Sequence, residues 1–189
     1  MDNELKGLRV AILLTSGVEQ VELTEPCAAL EAACAGVTLI APERGEIYAM
    51  NHHDKGRTFN VDMSLEEANP DDFDAVLLPG GALNADALRV EKRAQSFVRS
   101  IDQQGKPIAV ICHGSWLLVS AGLMKDRQIT SYHTIQDDIR NAGGRWVDQE
   151  VQIDGNWISS RQPHDIPAFN QAMIEMFSQV AVGKREEAA

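Results

Sequence analysis

The residues best suited to chemistry in this 189-residue chain are Cys112, His113 and Gly114. They follow the short apolar run 108–111, which Lys106-Pro107 introduces and which reads as a buried strand. Residues 115–121 then read as a helix. A cysteine at such a strand-to-helix turn is held in a tight backbone with its side chain pushed out of the sheet, the geometry of a nucleophile elbow. The following helix offers free N–H groups and the positive end of its dipole, which favour a thiolate, and Gly114 lets the chain turn closely. The alternative is that Cys112 is a small buried core residue, as unpaired cysteines commonly are.

Such a turn needs a sheet to carry it. Apolar runs at 8–15, 37–41, 73–78 and 108–111 alternate with helical stretches at 22–35, within 85–104, at 115–121 and at 134–142. Gly36 stands where a C-cap is expected after the first helix, and Gly105 after the second. Residues 42–60 read as a polar loop with short extended pieces, and Asn69-Pro70-Asp71-Asp72 as a turn. A short strand is expected at 128–130, and a hairpin of the type I′ kind around Asp154-Gly155. From Pro163 a last helix runs to about 180, followed by a frayed charged tail at 183–189. The alternation points to βαβ units and a mostly parallel, doubly wound sheet with helices on both faces, in a single domain.

Ligands of open α/β sheets sit at the carboxyl ends of the strands. The first strand ends before Glu19 and Glu22, the 73–78 strand ends at Gly80-Gly81, and the 108–111 strand at Cys112. If these strands are neighbours, one pocket holds a thiol, two carboxyls and two glycine amides. A protonated glutamate there can hydrogen-bond the sulfur and relay protons, and the amides of Gly80, Gly81 and His113 are candidates for an oxyanion hole. Tyr132 and His133 follow the short strand at 128–130 and could line the pocket wall.

Composition removes several classes. With 44% hydrophobic and 24% charged residues the chain suits a soluble globular protein. A formal charge of −11 disfavours nucleic-acid and membrane-surface roles. No apolar run reaches a membrane span and the first residues form no signal-peptide core, so a cytoplasmic protein is expected. Three cysteines without CxxC spacing argue against disulfides and a cysteine zinc site; Cys27 and Cys34 read as packing residues on one helix face. His52-His53-Asp54 reads as a surface loop rather than a metal site, and Trp116, Trp146 and Trp157 as core or interface residues.

Glu19-Gln20-Val21-Glu22-Leu23, Leu77-Leu78-Pro79-Gly80-Gly81, residues 84–89, Ile111-Cys112-His113-Gly114 and Thr130-Ser131-Tyr132 together resemble the PfpI family. So do Asp137-Asp138, Asn141-Ala142-Gly143, Trp146-Val147-Asp148 and Ser159-Ser160-Arg161. That family belongs to the class I glutamine-amidotransferase-like superfamily, which includes the parkinsonism-associated deglycase. The resemblance runs from about residue 7 to 180. It implies a flavodoxin-like α/β sandwich, a nucleophilic Cys112, a partner carboxyl at Glu22 with Glu19 beside it, no metal or organic cofactor, and a homodimer. The activities implied are deglycase or glyoxalase III chemistry on reactive carbonyls or glycated protein, redox sensing through Cys112, and peptide hydrolysis.

In PfpI-type peptidases an acidic residue from the next subunit completes a Cys-His pair. Here Ala85 stands in its place with Asp86 adjacent, which weakens the peptidase reading. Side chains of adjacent residues at a sharp turn tend to point apart, so His113 is expected to act through its amide; its ring would need Asp86 of the partner subunit to help. The late histidine of true amidotransferases corresponds to His164, followed directly by Asp165; both read as the start of the last helix.

Overall fold

The computed structural model describes residues 4–187, and side chains as far as Gly183. Its core is a seven-stranded sheet in the order β11-β12-β8-β7-β1-β3-β6. The central strands are β1 (Arg9–Leu13), β7 (Ala75–Leu78) and β8 (Ile108–Ile111), with β3 (Gly36–Ala41) and β6 (Met63–Ser64) to one side and β12 (Trp157–Ser160) and β11 (Val151–Asp154) to the other. All neighbours are parallel except β11 and β12. Because side chains alternate along a strand, Val10 and Ile12, Ala75 and Leu77, Ala109 and Ile111 face one layer of core, while Ala11 and Leu13, Val76 and Leu78, Ile108 and Val110 face the other. Burial on both faces explains why these strands read as continuous apolar runs.

The first layer is closed by α1 (Gln20–Ala32) through Leu23 and Leu30, and by α6 (Ile166–Glu187) through Phe169, Met173 and Phe177 at helical spacing. The second is closed by α2 (Ala82–Arg89), α3 (Lys92–Gln103), α4 (Ser115–Ser120) and α5 (Gln136–Asn141). Two small sheets flank this frame: β2 (Val18–Glu19) with the hairpin of β4 (Gly45–Asn51) and β5 (Asp54–Val61), and β9 (Gln128–Ile129) with β10 (Arg145–Trp146). This is the three-layer, mostly parallel α/β arrangement expected of a flavodoxin-like fold.

Several boundaries differ from the sequence reading. The helix α1 stops at Ala32, and Cys34, at φ 69°, takes the left-handed position; Gly36 already belongs to β3. Cys34 is exposed rather than packed, while Cys27 is half-buried against the core. The polar stretch after β3 is a long antiparallel hairpin, missed because β5 is largely exposed and only Ile47 and Ala49 of β4 point inward. The stretch 85–104 holds two helices, broken at Val90-Glu91, where the Gln95 side chain donates to the carbonyl of Arg89 at 2.7 Å. In the second hairpin Asp154 still pairs with Trp157 and the turn is Gly155-Asn156; only Gly155 has positive φ, so the turn is not of the I′ type. Helix α6 continues through Glu187 where a frayed tail was expected, and positions 188–189 lie outside the described residues. No helix among the described residues is long and apolar enough to cross a membrane.

Candidate active site

Strands β1, β7 and β8 are adjacent, so their carboxyl ends meet. At the end of β8 the chain enters a tight 3-10 turn, Cys112–Gly114, with Cys112 at φ 61°. A positive φ is unfavourable for a residue with a Cβ. It is imposed by close packing on the neighbouring strand: a Cβ at Gly114 would lie 2.5 Å from the carbonyl oxygen of Leu78. The Pro79–Gly81 turn after β7 is fixed in the same manner by Asn84, fully buried in the first turn of α2. Its amide nitrogen donates to the carbonyls of Pro79 and Gly80 at 3.1 and 2.9 Å, and its oxygen accepts from the Thr15 N–H at 2.7 Å. One side chain thus ties the end of β1 to the end of β7. Asn84 carried no signal of this role in the sequence beyond its place just after the glycines.

Glu22 is completely buried on α1. Its Oε2 accepts from the Gly80 N–H at 2.9 Å, and Oε1 has no nitrogen or oxygen partner. Burial pushes its pKa up to about 8, opposed by hydrogen bonding with the Cys112 side chain and assisted by the nearby Glu19 charge. At neutral pH the carboxyl is therefore mostly protonated.

The thiol does not match the expectation of a thiolate favoured by the helix. Burial, then the Glu22 charge, push Cys112 above the ordinary thiol range, while the amides of His113 and Gly81 act on the sulfur in the opposite sense. A neutral thiol beside a neutral acid is the resting pair, since two buried anions in contact would repel strongly. Gly81 and His113 do present amides where they were expected. Gly80 does not: its N–H is taken by Glu22, and its carbonyl accepts from Glu19 N–H and Asn84.

The ring of His113 also departs from expectation. Its Nδ1 lies 3.3 Å from the Cys112 sulfur and its Nε2 lies 3.4 Å from the Thr134 hydroxyl. The left-handed φ of Cys112 undoes the usual divergence of adjacent side chains, so both face one cavity. The ring packs edge-on to Trp116 (5.2 Å) and at a tilt to Tyr132 (5.0 Å), and burial lowers its pKa, with His133 adding to the effect. Asp86 is exposed on α2 and does not line the cavity.

The cavity over Cys112 has a volume of about 470 Å³. Glu19, Glu22, Gly81, Tyr132 and His113 line it as expected; His133 does not, and its ring lies tilted behind Tyr132 at 4.6 Å. Residues read as a surface loop also reach it. His52 and His53, at the tip of the β4–β5 hairpin, form one wall, and Gln162, Pro163 and His164 another. The hairpin is held there because both Glu19 oxygens accept from the His52 N–H (3.3 and 3.2 Å) and Gln20 accepts from the Arg57 N–H (2.7 Å). Asp165, as expected, sits at the start of the last helix, where Arg161 pairs with both its oxygens. Among the described residues no group of three or more His, Cys, Asp or Glu is placed to hold a metal ion. A second cavity of about 460 Å³ lies between α1 and α6, but no thiol or imidazole lines it.

Comparisons with known proteins agree with this geometry. The family model described as the DJ-1/PfpI family matches residues 8–176. A protein of Thermococcus kodakarensis named Deglycase TK1284 is 39% identical over 169 residues, covering 89% of this chain and 99% of that one. General stress protein 18 of Bacillus subtilis is 37% identical over 175 residues, covering 90% and 98%. Among solved structures, a two-domain protein of Anabaena variabilis with DJ-1/ThiJ/PfpI-like and ferritin-like domains superposes with a TM-score of 0.84 at 31% identity, covering 89% of this chain and 47% of that one.

Proposed function

The chain belongs to the DJ-1/PfpI family, and from that premise we propose that it is a stress-related, cysteine-dependent deglycase acting on reactive carbonyls or their protein adducts. The observation that carries the reading is the fully buried Glu22 carboxyl, held by Gly80 and interacting with the Cys112 side chain at a strained turn. A buried acid kept neutral at pH 7 is the group needed to hand a proton to a developing alkoxide.

In this mechanism the Cys112 sulfur adds to the aldehyde carbon of a 2-oxoaldehyde, and its thiol proton passes to neutral His113 Nδ1, 3.3 Å away. The carbonyl electron pair moves to oxygen, which Glu22 protonates while the Gly81 and His113 amides steady the charge. Where the aldehyde is carried as a hemiaminal, the carbon–sulfur bond replaces the carbon–nitrogen bond and the amine leaves with a proton. The hydrogen on the aldehyde carbon then leaves as a proton, its electron pair shifts through an enediol, and the adjacent carbon is reprotonated. One carbon is oxidised to a thioester as its neighbour is reduced to an alcohol, so no external oxidant is needed. Water releases the hydroxy acid and restores the thiol.

The test is methylglyoxal consumption by wild type, Cys112→Ala and Glu22→Gln, with the thiol confirmed as reduced by mass. Turnover abolished in the first variant and reduced by ~100-fold or more in the second, the scale of lost acid catalysis, is the expected result. No turnover by reduced wild type overturns the reading. A redox-sensing role has one specific support: the same two amides and neutral acid could hold the oxygens of a Cys112 sulfinate. Peptide hydrolysis lacks a comparable support, since Ala85 stands where the PfpI peptidases carry the acidic residue that completes their Cys-His pair. A homodimer is the assembly we favour, on the exposure of Leu83 on α2 and Val90 just after it.

A further inference from the structure

The ring of His113 is held by two kinds of contact that do different things. Trp116 meets it edge-on at 5.2 Å and Tyr132 lies tilted against it at 5.0 Å. Both neighbours are themselves anchored. The Trp116 indole N–H donates to Asp138 at 3.0 Å with Arg89 over its ring at 4.9 Å, and the Tyr132 backbone N–H donates to the Cys112 carbonyl at 3.4 Å. Such packing fixes the plane of an imidazole but not which edge carries its nitrogens, because a half-turn of the ring keeps the same outline. Two polar contacts decide that: Nδ1 stands 3.3 Å from the Cys112 sulfur and Nε2 stands 3.4 Å from the Thr134 hydroxyl.

Thr134 is placed by its own turn. It is the middle residue of the 3-10 turn His133–Ile135, between Tyr132 and α5. Ile135 is buried and its N–H donates to the Tyr132 carbonyl at 3.2 Å, while the Gln136 side chain donates to the His133 carbonyl at 2.9 Å. A neutral imidazole has one N–H and one bare nitrogen, and the partner of one nitrogen settles the state of the other. A neutral Cys112 thiol needs a bare Nδ1 to donate to, which leaves the ring proton on Nε2, where the Thr134 oxygen accepts it.

We propose that Thr134 is a positioning residue that holds His113 in the Nε2–H tautomer, so that Nδ1 stays bare to take the Cys112 thiol proton. The inference rests on the deglycase reading for the use of Nδ1 as that acceptor, and adds the residue that prepares it. A carboxylate facing Nε2 would stabilise an imidazolium, and with it a resting ion pair. A hydroxyl orients the ring without charging it, which suits a thiol pushed up by burial beside a histidine pushed down by it. The chain thus supplies from Thr134 an orienting group that Ala85 does not.

Thr134→Val removes the hydroxyl at nearly constant volume, and Thr134→Ser restores it. Nitrogen NMR of the protein carrying isotope-labelled histidine reads the tautomer, with the His113 signals identified by their loss in His113→Gln. Wild type should carry the His113 proton on Nε2. In Thr134→Val the ratio of Nε2–H to Nδ1–H forms should fall ~2–10-fold, the worth of one hydrogen bond. Iodoacetamide labelling of Cys112 at pH 8 should slow by a similar factor, with Cys34 labelling unchanged as the control. Thr134→Ser should return both readings towards wild type. The proposal is overturned by a wild-type His113 proton on Nδ1, by a valine variant that leaves either reading at its wild-type value, or by a serine variant that behaves as valine does. None of these readings involves turnover, so failure of the deglycase reading is seen separately, as absent methylglyoxal consumption by the reduced wild-type protein.

Discussion

Glu22 and Gly80 stand 58 positions apart in the chain and are joined by a 2.9 Å hydrogen bond inside the protein. The contact admits no larger residue at the glycine, because a Cβ at Gly80 would lie 2.4 Å from Glu22 Oε2, 2.7 Å from Cys112 Cβ and 3.0 Å from the Ile111 oxygen. Gly80→Ala should therefore destabilise the fold by ~1–3 kcal/mol, the usual scale of overpacking, and should also displace the Glu22–Cys112 pair. Thermal melts and methylglyoxal turnover check both; an alanine variant with wild-type values in each would show that the turn can yield.

Stability should carry the signature of the buried acid. Glu22 is raised from 4.5 to about 8, so the folded chain holds this proton more tightly than the unfolded chain does. Its contribution is complete below about pH 4.5 and is lost as the pH rises to about 8. Glu22→Gln has nearly the same shape and cannot ionise. Its melting temperature should match that of wild type near pH 4.5 and exceed it progressively towards pH 8, with up to ~5 kcal/mol at stake at 1.36 kcal/mol per pKa unit. Parallel melting curves across that range would show that Glu22 ionises freely.

The three thiols should separate by environment. Cys34 is exposed, Cys112 is buried and pushed up by burial and by Glu22, and Cys27 is pushed up to about 12 by burial and the Glu31 and Asp62 charges. Iodoacetamide followed by peptide mass mapping at pH 7 should label Cys34 first, Cys112 more slowly and Cys27 last. Raising the pH above 8 should accelerate Cys112. Preferential labelling of Cys112 at pH 6 would mean that its thiolate is already formed.

The buried Asn84 side chain makes three hydrogen bonds, two of them fully buried. Asn84→Ala should cost ~2–4 kcal/mol, from about 1 kcal/mol per bond plus the desolvation of partners left unpaired. Activity should fall further than stability alone explains, because the Gly80–Gly81 turn loses its tether. Urea denaturation and kinetics at a temperature where the variant is folded separate the two effects.

Much of this site could be read in the residue order. The segments after three strands carry Glu22, Gly80-Gly81 and Cys112, and the strands whose adjacency the sequence left as a condition are neighbours in the sheet. What could not be read depends on direction rather than proximity. Whether the Gly80 N–H serves an oxyanion or Glu22 depends on how α1 lies across the sheet, and the approach of the His113 ring depends on a single φ at Cys112. The β4–β5 hairpin escaped because most of its side chains face solvent, which removes the alternation that marks a strand. With the hairpin went the wall bearing His52 and His53.

Four of the chain's five histidines line this one cavity, and the fifth, His133, lies tilted against Tyr132 in its wall. Their imidazole C–H signals in a proton NMR spectrum of the unlabelled protein consequently describe a single region of the molecule. Five resonances that shift together on adding a small compound would locate its binding without isotopes, substitutions or a fluorophore, and a compound that leaves them still binds elsewhere.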